Sequence, residues 1–515
     1  MNIHTTLKTG RIIFDQAYPI LERVLSNYHK TNKSNFDWYV LICFWLNALI
    51  FYYLQHYYNK SITDYSKLKK KSFINNDYSD FEKLLQNHDF NFFFLSVINQ
   101  KKKNLNSLFN HFIGNNIQYD FKQKYLIFLK KLIWKTMNFF FKTSLFSNFS
   151  VNKNILFKFF LNTRCKLLSI VFFSKKNYTN KKNIDKNVRI KLYQEFNKIK
   201  SFKKYPNFTE IIFLFMPFSF IENFKFYKDN ISDLIRFNPP IVFLDGPEVY
   251  NEPFKILLGY WVKRRTQIFN IQHSSNHIDL KNHSFYDYWF KYSNLYISWG
   301  WKNKSKKTIS LPSLRLFNMV SRFKKKKVNL IYDIVFFPRV NFLFPHFSLH
   351  LNQNIQIDNF KATENLINYF KKNKSKLFIK SRDEDENRMN YKQYILNSSY
   401  NTQEIFFKTK LSVFNHFSTG FFECLFLDRP AVIYIPNKDH LIKESSSYIE
   451  LNNILKKYGL ICSKPSDISK LFNKINTNFF LNIYNSLKSD NLFKKQILNP
   501  SSSDLDWMKF FKKIL

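Results

Sequence analysis

From about Glu210 the chain breaks into short apolar runs of strand length, each bounded by turn residues and separated by longer helical stretches. Strands that alternate with helices pair in parallel, so this pattern restricts the chain to α/β layers more firmly than any other feature of the sequence. The first series comprises Ile211–Phe215, Ile241–Leu244, Gln267–Ile271 and Leu295–Ser298, with a helix expected over Pro253–Lys263. A basic break, Arg322–Lys327, leads into a second series. Its strands are expected at Leu330–Phe337, Lys376–Lys380, Leu411–Asn415, Ala431–Ile435 and Leu460–Cys462, with helices over Asn359–Lys372 and Gly420–Leu427.

A chain of 515 residues exceeds what one hydrophobic core supports. The expected fold class is α/β, with two Rossmann-like domains facing a cleft after a mostly helical N-terminal region. The expected boundaries are 1–200 for the helical region, 201–322 and 328–500 for the two domains, and 501–515 for a C-terminal amphipathic helix. Within the first region, Asp120–Phe141 and Asn154–Phe173 carry helical periodicity between Lys/Asn-rich breaks. Trp38–Leu54, 17 residues without a charge, sits at the lower limit for crossing a membrane. Its Asn47, its dense aromatics and its polar flanks read as a buried helix instead.

The N-terminus lacks the apolar core of a signal peptide. Cys43, Cys165, Cys424 and Cys462 lie far apart without ligand spacing, which argues against a disulfide framework or a structural zinc and fits a reducing, cytoplasmic compartment. The net charge of +43 needs discounting, because the enriched Phe, Ile, Tyr, Asn and Lys share A/T-rich codons. The basic runs Lys69–Lys71, Lys101–Lys103 and Lys324–Lys327 are short and read as solvated loops. Attraction to an anionic membrane surface stands second to that reading. A specific nucleic-acid surface stands third, because no recognised binding signature accompanies the charge.

Only seven glycines occur, and five of them (Gly246, Gly259, Gly300, Gly420 and Gly459) fall between 246 and 459. In a composition that avoids glycine, those retained point to backbone requirements. Gly246, Gly300 and Gly420 each follow an expected strand, and ligands of open α/β sheets bind beyond the carboxyl ends of strands.

The loops around them carry the candidate chemistry. Asp245 and Glu248 are candidates for a base acting on an acceptor hydroxyl, the alternative being an N-cap pair. Gln272-His273-Ser274-Ser275 follows a strand and offers an imidazole and turn N–H groups to a phosphate. Trp299-Gly300-Trp301 suits either stacking on a base or sugar, or packing at a hinge. In Asn415-His416-Phe417-Ser418-Thr419-Gly420, Ser418 and Thr419 would cap a helix whose first N–H groups face an anion, and Glu423 lies one turn further, within reach of a ribose. Arg339, Lys380 and Arg382 are candidates for neutralising a leaving phosphate, or are plain surface charge. Asp383-Glu384-Asp385-Glu386 contains an Asp-x-Asp but reads as a solvated loop, so no metal is expected.

A resemblance rests on Gln272-His273, Ser298-Trp299-Gly300-Trp301, Leu311-Pro312-Ser313 with Leu314 to Leu316, Phe337-Pro338-Arg339, and Asn415 to Pro430. Phe36-Asp37-Trp38-Tyr39 with Phe44-Trp45-Leu46 adds an aromatic N-terminal helix. These residues resemble a bacterial transferase family of surface-carbohydrate loci, first noted in spirochaetes. That family is distantly similar to capsule Kdo transferases and CDP-glycerol glycerophosphotransferases. The resemblance implies a GT-B-like fold in which 201–322 is the acceptor side and 328–500 holds the nucleotide donor. It also implies no essential metal and no cofactor beyond a CMP-, CDP- or UDP-linked donor. His273 and its loop would then face the donor phosphate, while His416, Ser418, Thr419 and Glu423 would hold phosphate and ribose. The family usually shows Gly-Gly after the first His, whereas this chain has Ser274-Ser275.

The expected activity is therefore a metal-independent GT-B-type glycosyltransferase. It would move a sugar or polyol phosphate to a glycan or lipid-linked acceptor, in the cytoplasm or at the inner face of the cytoplasmic membrane. The alternatives are a catalytically inactive nucleotide-sugar-binding protein of the same fold, and a basic nucleic-acid-binding protein.

Overall fold

The structure is a computed structural model. It describes residues 3–58, 121–147, 151–169, 184–246, 251–275, 293–338, 353–372, 377–380, 399–436, 446–475 and 478–515, excepting 201, 303–306 and 324, together with isolated residues between 73 and 113 and at 289, 395 and 396.

Two long helices open the chain, α1 (Ile3–His29) and α2 (Trp38–Tyr58). Helix α2 is long and apolar enough to cross a membrane, yet it is enclosed on all sides by protein. The indole of Trp45 donates to the Phe215 carbonyl at 3.1 Å, and the Tyr53 hydroxyl donates to the Pro206 carbonyl at 2.9 Å. Asn47 is satisfied within its own helix by the Cys43 carbonyl at 2.9 Å, so burying it leaves no amide donor stranded.

Next come α3 (Phe121–Phe141), strand β1 (Ser144–Ser147), α4 (Lys153–Asn162), strand β2 (Leu167–Leu168) and helices α5 (Lys186–Ile199), α6 (Phe208–Phe215) and α7 (Phe224–Ile235). Two expectations change here. Ile211–Phe215 is not a strand but lies in α6, where it is buried all round; a five-residue apolar run has no periodicity that separates the two cases. Asn154–Phe173 is a helix only to Asn162, after which the chain enters β2. Residues 1–200 thus supply strands as well as helices. A buried ion pair fastens α5 to the segment before α7: Arg189 grips Glu222 through Nε at 2.7 Å and a terminal nitrogen at 2.9 Å, and donates to the Phe213 carbonyl at 2.8 Å.

The α/β part continues with β3 (Ile241–Leu244), α8 (Glu252–Lys263), β4 (Gln267–Ile271), β5 (Leu295–Ser298), β6 (Thr308–Ser310) and α9 (Leu314–Phe323). All six strands are parallel, in the order β2-β1-β3-β4-β5-β6, with Phe243 opposite Phe269 and Ile271 opposite Ile297. A parallel sheet covered on both faces needs continuous apolar strands, and every residue of β3 is buried.

A second sheet is built from β7 (Tyr332–Phe337), α10 (Gln353–Lys372), β8 (Leu377–Ile379), α11 (Thr402–Phe406), β9 (Thr409–Phe414), α12 (Thr419–Phe426), β10 (Ala431–Tyr434), α13 (Ser446–Lys457) and β11 (Ile461–Cys462). It is also wholly parallel, in the order β8-β7-β9-β10-β11. Helices α14 (Pro465–Asn473), α15 (Phe479–Ser489), α16 (Asn491–Gln496) and α17 (Ser503–Ile514) follow. The last of these returns to the first sheet. Phe511 of α17 packs edge-on against Phe146 and Phe243, and the Trp507 indole donates to the Pro312 carbonyl at 2.8 Å.

Candidate active site

Both sheets reverse their strand order at one point, and at each reversal the two flanking connections run to opposite sides, opening a crevice beyond the carboxyl ends. In the first sheet this point lies between β1 and β3, where Asp245-Gly246 leaves the sheet. In the second it lies between β7 and β9, where Asn415-His416 leaves.

At the first crevice Asp245 is buried, and its Oδ1 lies 3.4 Å from His273 Nδ1, whose side chain is 37% exposed. Gly246 has a φ of +87°, and a Cβ there would meet His273 Cγ at 3.3 Å. Glycine thus satisfies the turn and lets the imidazole lie over it. A proton on Nδ1, directed at the carboxylate, leaves Nε2 as the ring's acceptor. Glu248, the companion of Asp245 in the sequence reading, lies outside the described residues.

Gln272 has a different place from the one its position suggested. It is 1% exposed, and its Oε1 accepts from the Trp299 amide and the Trp301 indole, both at 2.8 Å. Its Nε2 donates to the Ser274 carbonyl at 2.9 Å, and its own carbonyl accepts from the Trp299 indole at 2.8 Å. The side chain is a strut that ties β4 to β5. Trp299 and Trp301 are buried with it, so their rings present no face for a base to stack on. Gly300 is also explained by packing. A Cβ there would stand 2.7 Å from the Gln496 backbone, where the C-terminal segment crosses and the Leu498 amide donates to the Trp299 carbonyl at 2.7 Å. Gln272, Trp299, Gly300 and Trp301 thus serve as framework in this structure.

The loops after β4 and β9 meet through Ser275, one of the two serines that stand where the family pattern has glycine. Ser275 is buried, its hydroxyl donates to the Phe417 carbonyl at 2.6 Å, and its amide faces Thr419 Oγ1 at 3.4 Å. Ser274 beside it is partly exposed. Across this junction Ser418 is the N-cap of α12, accepting from the Phe421 amide at 3.1 Å. His416 lies next to it, partly exposed, with Nδ1 at 3.1 Å from Asn415 Oδ1. Glu423 is 3% exposed; it accepts from Gln403 Nε2 at 3.0 Å and lies 3.7 Å from Arg315 Nε. Its carboxylate is therefore held by neighbours on α11 and α9. Arg315 is a residue that sequence reasoning missed, although Leu311-Pro312-Ser313 just before it marked the segment.

Lys380 follows β8, buried, its amide donating to the Phe336 carbonyl at 2.9 Å. Arg339, Arg382 and the acidic run Asp383 to Glu386 lie outside the described residues. Among the described residues no group of three or more His, Cys, Asp or Glu side chains is arranged to hold a metal ion. Cys424 and Cys462 offer no nucleophile: burial pushes the Cys462 thiol up to about 12 and raises Cys424 well above its usual value, so both stay protonated. A cavity of about 790 Å³ beside α7, lined by His29, Lys225 and Lys228, contains none of the candidate site residues.

One solved structure, a UDP-GlcNAc 2-epimerase from Neisseria meningitidis bound to UDP-GlcNAc, aligns with 10% identity over 72% of this chain and 99% of its own, at a TM-score of 0.34. No curated protein matches the sequence. The family model described as LIC12162 family transferase matches residues 2–480, which spans the helical region, both sheets and both crevices. The chain belongs to the LIC12162 family of transferases.

Proposed function

We propose that the protein is a glycosyltransferase of GT-B-like build. It moves a sugar or polyol phosphate from a CMP-, CDP- or UDP-linked donor to a glycan or lipid-linked acceptor in surface polysaccharide or lipopolysaccharide assembly. The observation that carries this reading is the junction itself: the loop bearing His273 and the helix capped by Ser418 are joined through Ser275. In this reading residues 201–322 are the acceptor side, 328–500 the donor side, and the cleft opens between their switch points. The first-sheet strands within 144–168 extend the acceptor side.

The chemistry follows from the groups at hand. An acceptor hydroxyl gives its proton to His273 Nε2 while Asp245 steadies the resulting imidazolium. The hydroxyl oxygen attacks the activated centre of the donor, and the bond to the nucleotide phosphate breaks. Charge builds on that phosphate, where the first N–H groups of α12, its cap Ser418 and the neighbouring His416 stabilise it. Lys380, Arg339 and Arg382 supply the positive charge that a divalent metal supplies elsewhere. A cytoplasmic location gives such an enzyme its nucleotide-activated donors.

Transfer is tested by following nucleotide release from candidate donors with the full-length protein. His273→Ala should abolish release while leaving nucleotide binding and melting temperature nearly unchanged, because the side chain is partly exposed. Wild-type turnover in this variant would remove His273 from the chemistry. Nucleotide binding without turnover by any donor would instead favour an inactive binding protein of the same fold.

A further inference from the structure

The strongest unexplained feature lies away from the crevices, on the exposed faces of α3 and α4 near their carboxyl ends. Phe139 is 75% exposed and Phe140 68%, with Phe141 exposed beside them. On α4, Phe157 is 61% exposed, and Leu161 stands out on the same face one turn later, while Phe159 on the other face is buried against Phe511. The two helix ends are fastened together. Thr143 Oγ1 donates within reach of both the Met137 carbonyl at 3.0 Å and the Cys165 carbonyl at 3.3 Å, and the Ser144 amide donates to the Lys166 carbonyl at 2.8 Å. The exposed rings of both helices are therefore carried on tied neighbouring segments. Soluble chains rarely leave contiguous apolar surface of this kind open to water.

Charge says what covers it. From residue 121 to residue 184 the sequence contains 14 Lys and Arg and no Asp or Glu. Lys142 directly after α3, Lys153 at the start of α4 and Arg164 just after α4 are all exposed. Lys512 and Lys513 add positive charge from the end of α17, after which the Leu515 carbonyl accepts from Lys166 Nζ at 2.8 Å. We propose that this face seats the protein on an anionic membrane surface, the Phe and Leu side chains entering the headgroup boundary while the surrounding cations meet lipid phosphates.

The observations favour a bilayer over the other occupants. A second copy would bring two strongly cationic faces together, because the acids beside them, Asp233 and Asp504, are already paired with Lys131, Lys135 and Lys158. A nucleic-acid strand would use the cations and stack on rings, but it has no use for the exposed aliphatic Leu132, Ile133 and Leu161 that share this surface. The end of α3 and the turn after α4 lead into the amino ends of β1 and β2. Docking there leaves the carboxyl-end loops, on the opposite side of the sheet, open to their ligands. The proposal does not rest on the reaction assigned above.

Flotation of the full-length protein with vesicles tests it directly. Vesicles of phosphatidylglycerol with phosphatidylethanolamine should carry the protein, and pure phosphatidylcholine vesicles should carry it about tenfold less or worse. Phe139→Ser with Phe140→Ser should weaken binding to the anionic vesicles by about tenfold or more, with an unchanged melting temperature. Lys142→Glu with Arg164→Glu, an independent pair that leaves every ring in place, should weaken it too and flatten its salt dependence. The proposal is overturned if wild type stays unbound on anionic vesicles, or if both double variants float like wild type. It is equally overturned if the Phe variant loses only binding to a single-stranded oligonucleotide, or only converts a dimer to monomers, with vesicle binding intact.

Discussion

Replacing Gln272 by Leu separates a framework residue from a ligand contact. The substitution keeps the approximate volume and removes the carboxamide. Two buried donors, the Trp299 amide and the Trp301 indole, then lose the oxygen that both reach at 2.8 Å. A buried donor left without a partner costs about 1–3 kcal/mol, so the pair costs about 2–6 kcal/mol. The Ser274 carbonyl adds little, because its partly exposed residue can turn to water. For a domain of this size the loss amounts to a fall on the order of 10 °C in melting temperature. Differential scanning calorimetry measures it, with His273→Ala as the neighbouring control whose melting should barely move. The reasoning is refuted if Gln272→Leu melts with wild type, and more pointedly if it melts with wild type yet no longer binds nucleotide.

Arg189→Leu should destabilise by about 3–5 kcal/mol in urea unfolding, since it leaves Glu222 buried and unpaired. Gly300→Ala should cost about 1–3 kcal/mol by overpacking against the Gln496 backbone, and hydrogen exchange in the C-terminal segment should quicken. His29 supplies a pH dependence. Burial holds its pKa down at about 4, against an ordinary value of 6.5, although its Nε2 lies 2.8 Å from the Phe220 carbonyl. The unfolded chain therefore takes up this proton first. The neutral ring's contribution is complete above about pH 6.5, declines as pH falls towards 4, and amounts to about 3 kcal/mol. His29→Gln should flatten this part of the stability–pH curve, measured as denaturant midpoints on either side of the window.

Where strands are buried on both faces, the sequence reads clearly. The expected bounds of β3, β4 and β5 coincide with the structure, because such strands are unbroken apolar runs stopped by Asp-Gly, Gln-His and Trp-Gly. β1, β2 and β6 went unread because two to four residues give too little pattern to rise above their helical surroundings. Ile211–Phe215 misled for a related reason: burial on every side erases the period that tells a helix from a strand. In the loops the difficulty is of another kind. A polar residue just past a strand end looks the same whether it faces a ligand or braces the next strand, and only the partners of Gln272 decide. Rare glycines located both crevices but left their purpose open. Gly246 makes room for an imidazole, whereas Gly300 makes room for a crossing chain. The Ser274-Ser275 departure looked like a loss at a phosphate loop, yet Ser275 gains a bond to the opposite sheet's loop that glycine has no side chain to form.

The central claim is that the two facing crevices form a nucleotide-donor site. Thermal shifts of wild type and His416→Ala in CMP, CDP, UDP and GDP test it most directly. The account predicts that a cytidine or uridine nucleotide raises the wild-type melting temperature and that His416→Ala loses most of the rise. It is contradicted if no nucleotide moves the wild type, or if the variant responds as wild type does.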